Sequence, residues 1–477
     1  MSIKIKVLTG LKWTAAGRIA SQAINWTITI YVMRLVAPED YGLMALAVVF
    51  SVIFSVLSEI GLGSALVQSK DISGSRIQQV FGIGILSNTV VFGIMFFLVA
   101  QLASDFFNDP RLQLVIQVIS IQFLPAAFAI VPSALMTRNM AFRERSIVEF
   151  LSNLGAALVT FLLAWLGYGV FALAWGFVTG SAIRATGLIA LSPPIGWPKF
   201  NFKGCSEILR FGSNVAGMQF IWTLYSQADA LIVGKILGKY SLGVYSVSMD
   251  LAALPGNRIS AILNQVTFPA FSHLHREGKE IGPFLQKGFR YLSIVSFPIM
   301  WGMSSVSQEI VNVLLGEKWI DAIIPLTVLC LIMPFRILLP LIDSGLHAVG
   351  RADKSFHNIC IIATIMTITF VVGCQYGLIG LVLGWLIIYP IIFLIIMKKS
   401  CVFFGLTLTG GLSSVVRPAI IGAVMYGSVF IMRDEILFSP VLNMAILIAI
   451  GAFVYLILSF MFNRKALVEI FALLKGK

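Results

Sequence analysis

The chain has 477 residues, of which 58% are apolar and only 12% are Asp, Glu, Lys or Arg. Soluble globular domains carry about 25% charged residues, so this composition excludes a water-soluble enzyme of several domains. The apolar residues come in blocks of about 20, each long enough to cross about 30 Å of hydrocarbon; examples are residues 80–103, 377–397 and 442–462. The sequence therefore predicts an all-α, polytopic membrane protein.

Hydropathy along the chain predicts fourteen membrane-spanning helices. Turn-forming or charged residues separate them, for example at 37–40, 107–110 and 315–318. The predicted spans are residues 11–33, 43–66, 80–103, 113–135, 147–166, 169–191, 208–234, 244–268, 288–311, 323–346, 358–373, 377–397, 413–432 and 440–462.

The distribution of basic residues predicts the orientation of these spans. Of 34 Lys and Arg residues, 24 lie on or beside the N-terminus, every second connection and the C-terminal tail, whereas only 6 lie on the alternate connections. Because cytoplasmic loops of membrane proteins are enriched in Lys and Arg, both termini of this multi-pass protein are predicted to be cytoplasmic. The net charge of +13 thus indicates topology, and nucleic acid is not an expected partner.

Cysteine and histidine show no pattern typical of a metal site. The five cysteines have no CxxC spacing and lie mostly in or beside apolar segments, where they act as small packing residues. The four histidines fall on or beside predicted cytoplasmic connections, and no Cys accompanies His273 and His275 at ligand spacing. We therefore expect no metal, and no nucleotide-binding motif or other cofactor signature is present.

An internal repeat is predicted from three landmarks that recur in the same order. Residues 37–43 resemble residues 237–245, and residues 107–109 resemble 315–317; the third pair is the basic loop at 138–145 and that at 351–354. Six predicted spans separate each pair, so the halves would be parallel repeats. The predicted organisation is an N-lobe (1–191), a cytoplasmic linker (192–207), a C-lobe (208–397) and a final segment (398–477) with two extra helices and the tail.

Polar side chains inside the predicted spans are candidates for a lumenal site, because ionisable groups in hydrocarbon usually face a bundle interior or a wet cavity. The first span carries a stripe at near-helical spacing that includes Arg18, Gln22 and Asn25. Arg258 and Arg336 lie close to the predicted midplane. An arginine fork binds phosphate oxygens bidentately, so these arginines predict a site for an anionic headgroup. The alternative is that each is tied to a neighbouring carboxylate for helix packing.

Three acids inside the spans are candidates for ion coupling. Glu59 lies at a depth similar to that of Arg18 and could pair with it. Asp229 and Asp250 lie at one depth in adjacent spans and could exchange a proton or hold Na⁺. Each acid could equally neutralise an arginine.

The sequence resembles the polysaccharide transporter family. In the first half, the resemblance is carried by APEDYGL (37–43), SEIGLGSALVQ (58–68) and ALMTRNMAF (134–142). In the second half, TFPAF (267–271), LGEKW (315–319) and IPL (324–326) are similar to the Wzx-type branch that includes colanic acid exporters. The order and spacing of these motifs extend over almost the whole chain.

The resemblance implies the fold of the multidrug/oligosaccharidyl-lipid/polysaccharide superfamily, with two six-helix lobes around a central cavity. It also implies a flippase, not an enzyme, that moves undecaprenyl-diphosphate-linked oligosaccharide across the cytoplasmic membrane for O-antigen or exopolysaccharide assembly. Arg18, Arg258 and Arg336 would then hold the diphosphate. The sugar would contact Gln22, Asn25, Gln219, Trp222, Tyr225 and Asn257.

Partners implied by this function are the lipid-linked substrate, membrane lipid, H⁺ or Na⁺, and polymerase or chain-length proteins of the same pathway. Two alternatives stay open. An ion-coupled small-molecule antiporter of the same superfamily is disfavoured by the fourteen predicted spans. A membrane-embedded glycosyl polymerase is disfavoured because the predicted outer connections are all short.

Overall fold

The computed structural model describes residues 26–59, 61–68, 73–201, 206–433, 435, 438–464 and 469. These residues form helices and connecting turns, without a β-strand among them. Helix α1 covers residues 26–35. The other α-helices are α2 (Pro38–Glu59), α3 (Leu62–Gln68), α4 (Gly74–Gly93), α5 (Ala100–Phe107), α6 (Pro110–Ser120), α7 (Phe123–Arg138), α8 (Phe142–Trp165), α9 (Val170–Leu191), α10 (Ser206–Ser226), α11 (Ala228–Ile236), α12 (Gly238–Arg276), α13 (Gly282–Ser305), α14 (Ser307–Ile310), α15 (Ile323–Ala348), α16 (Ala352–Cys374), α17 (Gly377–Cys401), α18 (Leu408–Met432) and α19 (Pro440–Phe462).

Ten helical segments in the described part of the chain are long and apolar enough to cross a membrane. They are Pro38–Glu59, Gly74–Phe107, Pro110–Arg138, Phe142–Trp165, Val170–Leu191, Glu317–Ala348, Ala352–Cys374, Gly377–Phe404, Leu408–Met432 and Pro440–Phe462. The helical, multi-spanning fold class is therefore confirmed, whereas the count of fourteen stays a prediction.

Local sequence explains how the helices begin and end. Between α5 and α6, Asn108 adopts a left-handed conformation with φ of 55°. The Asp109 side chain then accepts a hydrogen bond from the backbone N–H of Arg111 at 3.0 Å, and Pro110 occupies the first turn of α6. Asp at the N-cap and Pro directly after it are both favoured, because the first N–H groups of a helix have no partner inside it.

The chain divides into two compact units, Met1–Gly243 and Val244–Lys477. In the first, α8 packs against α9, and α7 lies against both α4 and α9. Helices α10 and α11 contact α2. The lobe boundaries expected from the sequence stay a prediction.

In the second unit, α13 packs between α15 and α18. The ring of Phe297 on α13 contacts the rings of Trp301 and Phe335 at centroid distances of 4.9 and 5.8 Å. The Tyr455 hydroxyl on α19 donates to the Ile294 carbonyl of α13 at 2.9 Å. Helix α13 therefore joins the last two helices to the rest of the unit.

Within residues 1–243, Gly42 on α2 packs against the start of α12, and Gly243 on α12 packs against the start of α2. A Cβ added to Gly42 on α2 would lie 1.8 Å from the Lys239 carbonyl oxygen, and one added to Gly243 on α12 would lie 1.8 Å from the Pro38 carbonyl oxygen. Gly42 and Gly243, like Pro38 and Lys239, are 201 residues apart. The starts of α2 and α12 therefore meet through equivalent positions, and neither glycine has room for a side chain.

A largely buried ion pair in the second unit predicts a strong effect on stability. Arg433 Nε lies 2.8 Å from Glu309 Oε1, and the side chains are only 17% and 11% exposed. Removing one partner of a buried pair costs about 3–5 kcal/mol, because the other charge stays buried without compensation. We expect Arg433→Gln to lower the thermal unfolding temperature of the purified protein more than the double variant Glu309→Gln/Arg433→Gln does. A loss in the double variant equal to the sum of the losses in Arg433→Gln and Glu309→Gln alone would show that the two side chains are not coupled.

Candidate functional site

Arg336 is the best-defined candidate in the second unit. It lies near the middle of α15 and is half-buried. Its Nη1 donates to the sulfur of Met249 on α12 at 3.1 Å, and its guanidinium carbon lies 5.0 Å from the centre of the Trp385 ring on α17. The hydroxyl of Tyr389, one turn after Trp385, is close enough to interact with the same guanidinium.

This aromatic surface is itself fixed by buried contacts. The indole N–H of Trp385 donates to the Tyr245 hydroxyl of α12 at 3.0 Å. The Trp385 ring also packs against the rings of Phe370 and Tyr389, at centroid distances of 5.2 and 5.4 Å. Trp385 and Tyr389 are only 4% and 5% exposed. We call Tyr245, Met249, Trp385 and Tyr389 the aromatic cradle of Arg336.

The cradle holds the guanidinium by weak partners. In the described part of the chain, the ion pairs do not include Arg336, so its contacts are a ring face, a thioether and a phenol. Cation–π contacts contribute about 0.5–2 kcal/mol, which orients the side chain without neutralising its charge. The use of Arg336 to bind an anion therefore stays a prediction.

Helix α12 brings three further predicted residues next to α15. A Cβ added to Gly256 on α12 would lie 3.2 Å from Cγ1 of Ile337, the neighbour of Arg336. Asp250, Asn257 and Arg258 lie on this helix, and all three are exposed. The second unit therefore places Arg258 and Arg336 on adjacent helices.

The first unit carries the predicted aromatic contacts for sugar. Gln219, Trp222 and Tyr225 lie on α10, where Gln219 and Trp222 are exposed. The rings of Trp222 and Tyr225 contact each other edge to face, with centroids 5.7 Å apart. Arg18, Gln22 and Asn25 lie outside the described residues.

The predicted ion-coupling acids have different surroundings. Glu59 is exposed at the end of α2, and its electrostatic partner in the described part of the chain is Arg184 on α9. Asp229 Oδ1 accepts a hydrogen bond from the Ala230 N–H at 2.8 Å in the first turn of α11. A carboxylate is favourable there, since the N-terminus of a helix carries a partial positive charge. This gives Asp229 a local structural role.

The aromatic cradle of Arg336 is not evident from the sequence. Tyr245 and Met249 precede Arg336 by more than 85 residues, and Trp385 and Tyr389 follow it by about 50. The available signal was the spacing of Trp385 and Tyr389, four residues apart on one helix face in an apolar segment. That spacing is equally typical of ordinary core packing.

Comparisons with known proteins agree with the helical architecture. The profile of a family described as "Polysaccharide biosynthesis protein" matches residues 31–324. The chain is 26% identical to the lipopolysaccharide biosynthesis protein WzxC of Escherichia coli (strain K12) over 81% of the chain and 79% of that protein. It is 24% identical to the teichuronic acid biosynthesis protein TuaB of Bacillus subtilis (strain 168) over 96% of each.

Among solved structures, the lipid II flippase MurJ in an inward closed conformation superposes with a TM-score of 0.78 at 16% identity, over 95% of this chain and 99% of that chain. An inward-facing multidrug transporter of the MATE family matches with a TM-score of 0.56 at 15% identity, over 80% of this chain and 95% of that chain. At these identities the likeness concerns the fold. The apolar helices and the relatives indicate a multi-pass protein of the bacterial inner membrane. Because the family profile covers more than half of the sequence, the chain belongs to the polysaccharide biosynthesis protein family.

Proposed function

We propose that the protein is a flippase that moves an undecaprenyl-diphosphate-linked oligosaccharide from the cytoplasmic to the outer leaflet, without catalysing a chemical reaction. The family and the names of the relatives support a step in polysaccharide biosynthesis. The fold shared with a lipid II flippase supports movement of a lipid-linked molecule.

The observation that carries this proposal is Arg336 on its aromatic cradle. An arginine in the middle of an apolar helix is costly unless it serves a partner or a wet cavity. Here the described contacts orient the fork through a thioether and an aromatic ring face. A diphosphate is a suitable ligand, because guanidinium and phosphate oxygens form paired, charge-assisted hydrogen bonds.

The transport cycle follows from the chemistry of such a substrate. Arg336 would bind the diphosphate together with Arg258 and Arg18. The sugar hydroxyls would bond to the amides, and the sugar faces would stack on the aromatic rings, while the prenyl tail stays in lipid. The residues assigned to the sugar are Gln22, Asn25, Gln219, Trp222, Tyr225 and Asn257. The protein would then expose this site alternately to each side of the membrane.

The proposed orientation has both termini in the cytoplasm, as the asymmetry of the basic residues favours. The N-lobe would be residues 1–191 and the C-lobe 208–397. Coupling to H⁺ or Na⁺ would use Glu59, Asp229 or Asp250. Polymerase and chain-length proteins of the same pathway would accept the exported unit.

Deletion of the gene in its host tests this function. We expect lipid-linked repeat units to accumulate in the cytoplasmic leaflet, where a membrane-impermeant sugar-modifying enzyme added to spheroplasts does not reach them. Restoring the wild-type gene should return them to the outer leaflet. Unchanged export and leaflet distribution, in a strain without a redundant transporter, would refute the flippase assignment.

A further inference from the structure

A cluster of charged side chains joins three helix ends within residues 1–243. Lys239 Nζ, in the first turn of α12, contacts Asp109 Oδ2 in the turn between α5 and α6. Arg111 Nη1 lies 3.5 Å from Asp40 Oδ1 on α2, and Arg111 Nε lies 3.8 Å from Asp109 Oδ1. We call Asp40, Asp109, Arg111 and Lys239 the Asp109 clasp.

A second contact ties the same elements together. Lys235, at the end of α11, donates to the Phe106 carbonyl of α5, and its ammonium lies 4.2 Å from the centre of the Phe106 ring. The segment from α11 to α12 is therefore held to the end of α5 at two positions. A carbonyl at the C-terminal end of a helix is a favourable acceptor for an ammonium group.

The clasp lies beside the reciprocal glycine contact. The Lys239 side chain pairs with Asp109, and the Lys239 backbone carbonyl packs against Gly42. Because Gly42 and Gly243 pack backbone to backbone, any movement of the start of α12 away from α2 would break the glycine contact and the clasp together. The start of α12 therefore makes both the close backbone contact with α2 and the ion pair with Asp109.

The surroundings of Asp109 favour its charged form. Partial burial acts to raise the pKa of Asp109, but the hydrogen bond and charge of Lys239, together with Arg111, hold this pKa below its ordinary value. A carboxylate with a lowered pKa stabilises the folded contact above its ordinary pKa near 4 and loses that contribution as the pH falls below it. At neutral pH the contact is therefore broken by movement of the helices and not by titration.

We propose that the Asp109 clasp is a lock that holds the outer end of the transport pathway closed, and that it must open once in each cycle. This inference rests on the proposed flippase function and orientation, in which Asp109 and Lys239 lie at the outer surface. The proposal is based on the ion pairs that join α2, the α5–α6 turn and the start of α12. The Asp109 side chain takes part in two of these pairs and is only 13% exposed.

Asp109→Asn tests the lock, with Asp105→Asn as a matched control. Asp105 is an exposed carboxylate on α5, one turn before Asp109, and the ion pairs of the described residues do not include it. A reporter cysteine at Ser104, which is buried on α5 and donates to the Asp109 carbonyl, is introduced after the five native cysteines are replaced. Labelling by an impermeant thiol reagent from outside should rise roughly two- to fivefold in Asp109→Asn, the ratio expected for losing a partly exposed ion pair. Asp105→Asn should label as the parent does.

The variant Lys239→Gln keeps the proposal falsifiable if Asp109→Asn folds poorly, since it removes the same ion pair, leaves the Asp109 cap of α6 intact and should raise labelling to a similar extent. Crosslinking Asp109→Cys to Lys239→Cys with a short, cleavable bifunctional thiol reagent should stop export until a reductant is added. Unchanged labelling in Asp109→Asn, or normal export by the crosslinked protein, would overturn the lock. If the uncrosslinked parent does not restore export to the deletion strain, the proposed function fails instead.

Discussion

Replacing Arg336 with alanine is expected to lower the rate of export by about 10- to 100-fold, since a hydrogen bond to a charged group contributes roughly 1.5–3 kcal/mol. The loss should appear in substrate movement and not in folding. The guanidinium makes its described contacts with a thioether and aromatic rings, so its removal breaks none of the ion pairs found among the described residues. Complementation of the deletion strain, normalised to the amount of protein in the membrane, measures the effect.

Two further variants separate binding from a general loss of charge. Arg336→Lys keeps the charge but loses the planar fork that binds phosphate oxygens in pairs, so it should retain part of the export. Arg351→Ala removes a partly exposed arginine whose partner is Asp353, 3.0 Å away in the first turn of α16. It should export within about twofold of wild type, as expected for a surface ion pair. Normal export by Arg336→Ala at normal protein level would remove Arg336 from the mechanism.

Gly42→Ala is expected to destabilise the folded protein, because the new Cβ would lie 1.8 Å from the Lys239 carbonyl oxygen. Overpacking of this kind costs roughly 1–3 kcal/mol, and here the clash is with backbone, which cannot rotate away. Gly243→Ala meets the Pro38 carbonyl oxygen at the same distance and should behave alike. We expect a drop of several degrees in the unfolding temperature of either purified variant.

Gly93→Ala is the matched control for this prediction. Gly93 ends α4, and a Cβ added there would meet no atom within 4 Å. Because alanine favours helix by up to about 1 kcal/mol over glycine, this variant should unfold at the same temperature as wild type or slightly higher. If Gly42→Ala unfolded at the same temperature as Gly93→Ala, α2 and α12 would not be in close contact at Gly42.

The helical fold could be predicted from the sequence because its signals are local. A run of about 20 apolar residues must bury its backbone polar groups within a helix in lipid. The turn at Asn108, Asp109 and Pro110 uses residues whose own conformations break and restart a helix. The repeat comparison likewise singled out the two segments that contain Gly42 and Gly243, although not their mutual contact.

The surroundings of the candidate site could not be predicted, because they depend on which helices become neighbours. Arg336 and Arg258 are both arginines near predicted midplanes, and hydropathy does not distinguish a charge that faces an aromatic surface from one paired with an acid. The cradle of Arg336 combines side chains of α12 and α17, which are remote in sequence. Asp109 was recognised only as a turn residue, since its partner Lys239 lies 130 positions away.

The most direct test of the proposed function is transbilayer movement in proteoliposomes that contain a fluorescent undecaprenyl-diphosphate oligosaccharide. A membrane-impermeant glycosidase added outside reports the fraction of substrate in the outer leaflet over time. We expect wild-type protein to make nearly all of the substrate accessible, whereas Arg336→Ala should make it accessible much more slowly and Arg351→Ala should resemble wild type. Vesicles with wild-type protein that expose the substrate no faster than protein-free vesicles, under any imposed H⁺ or Na⁺ gradient, would contradict it.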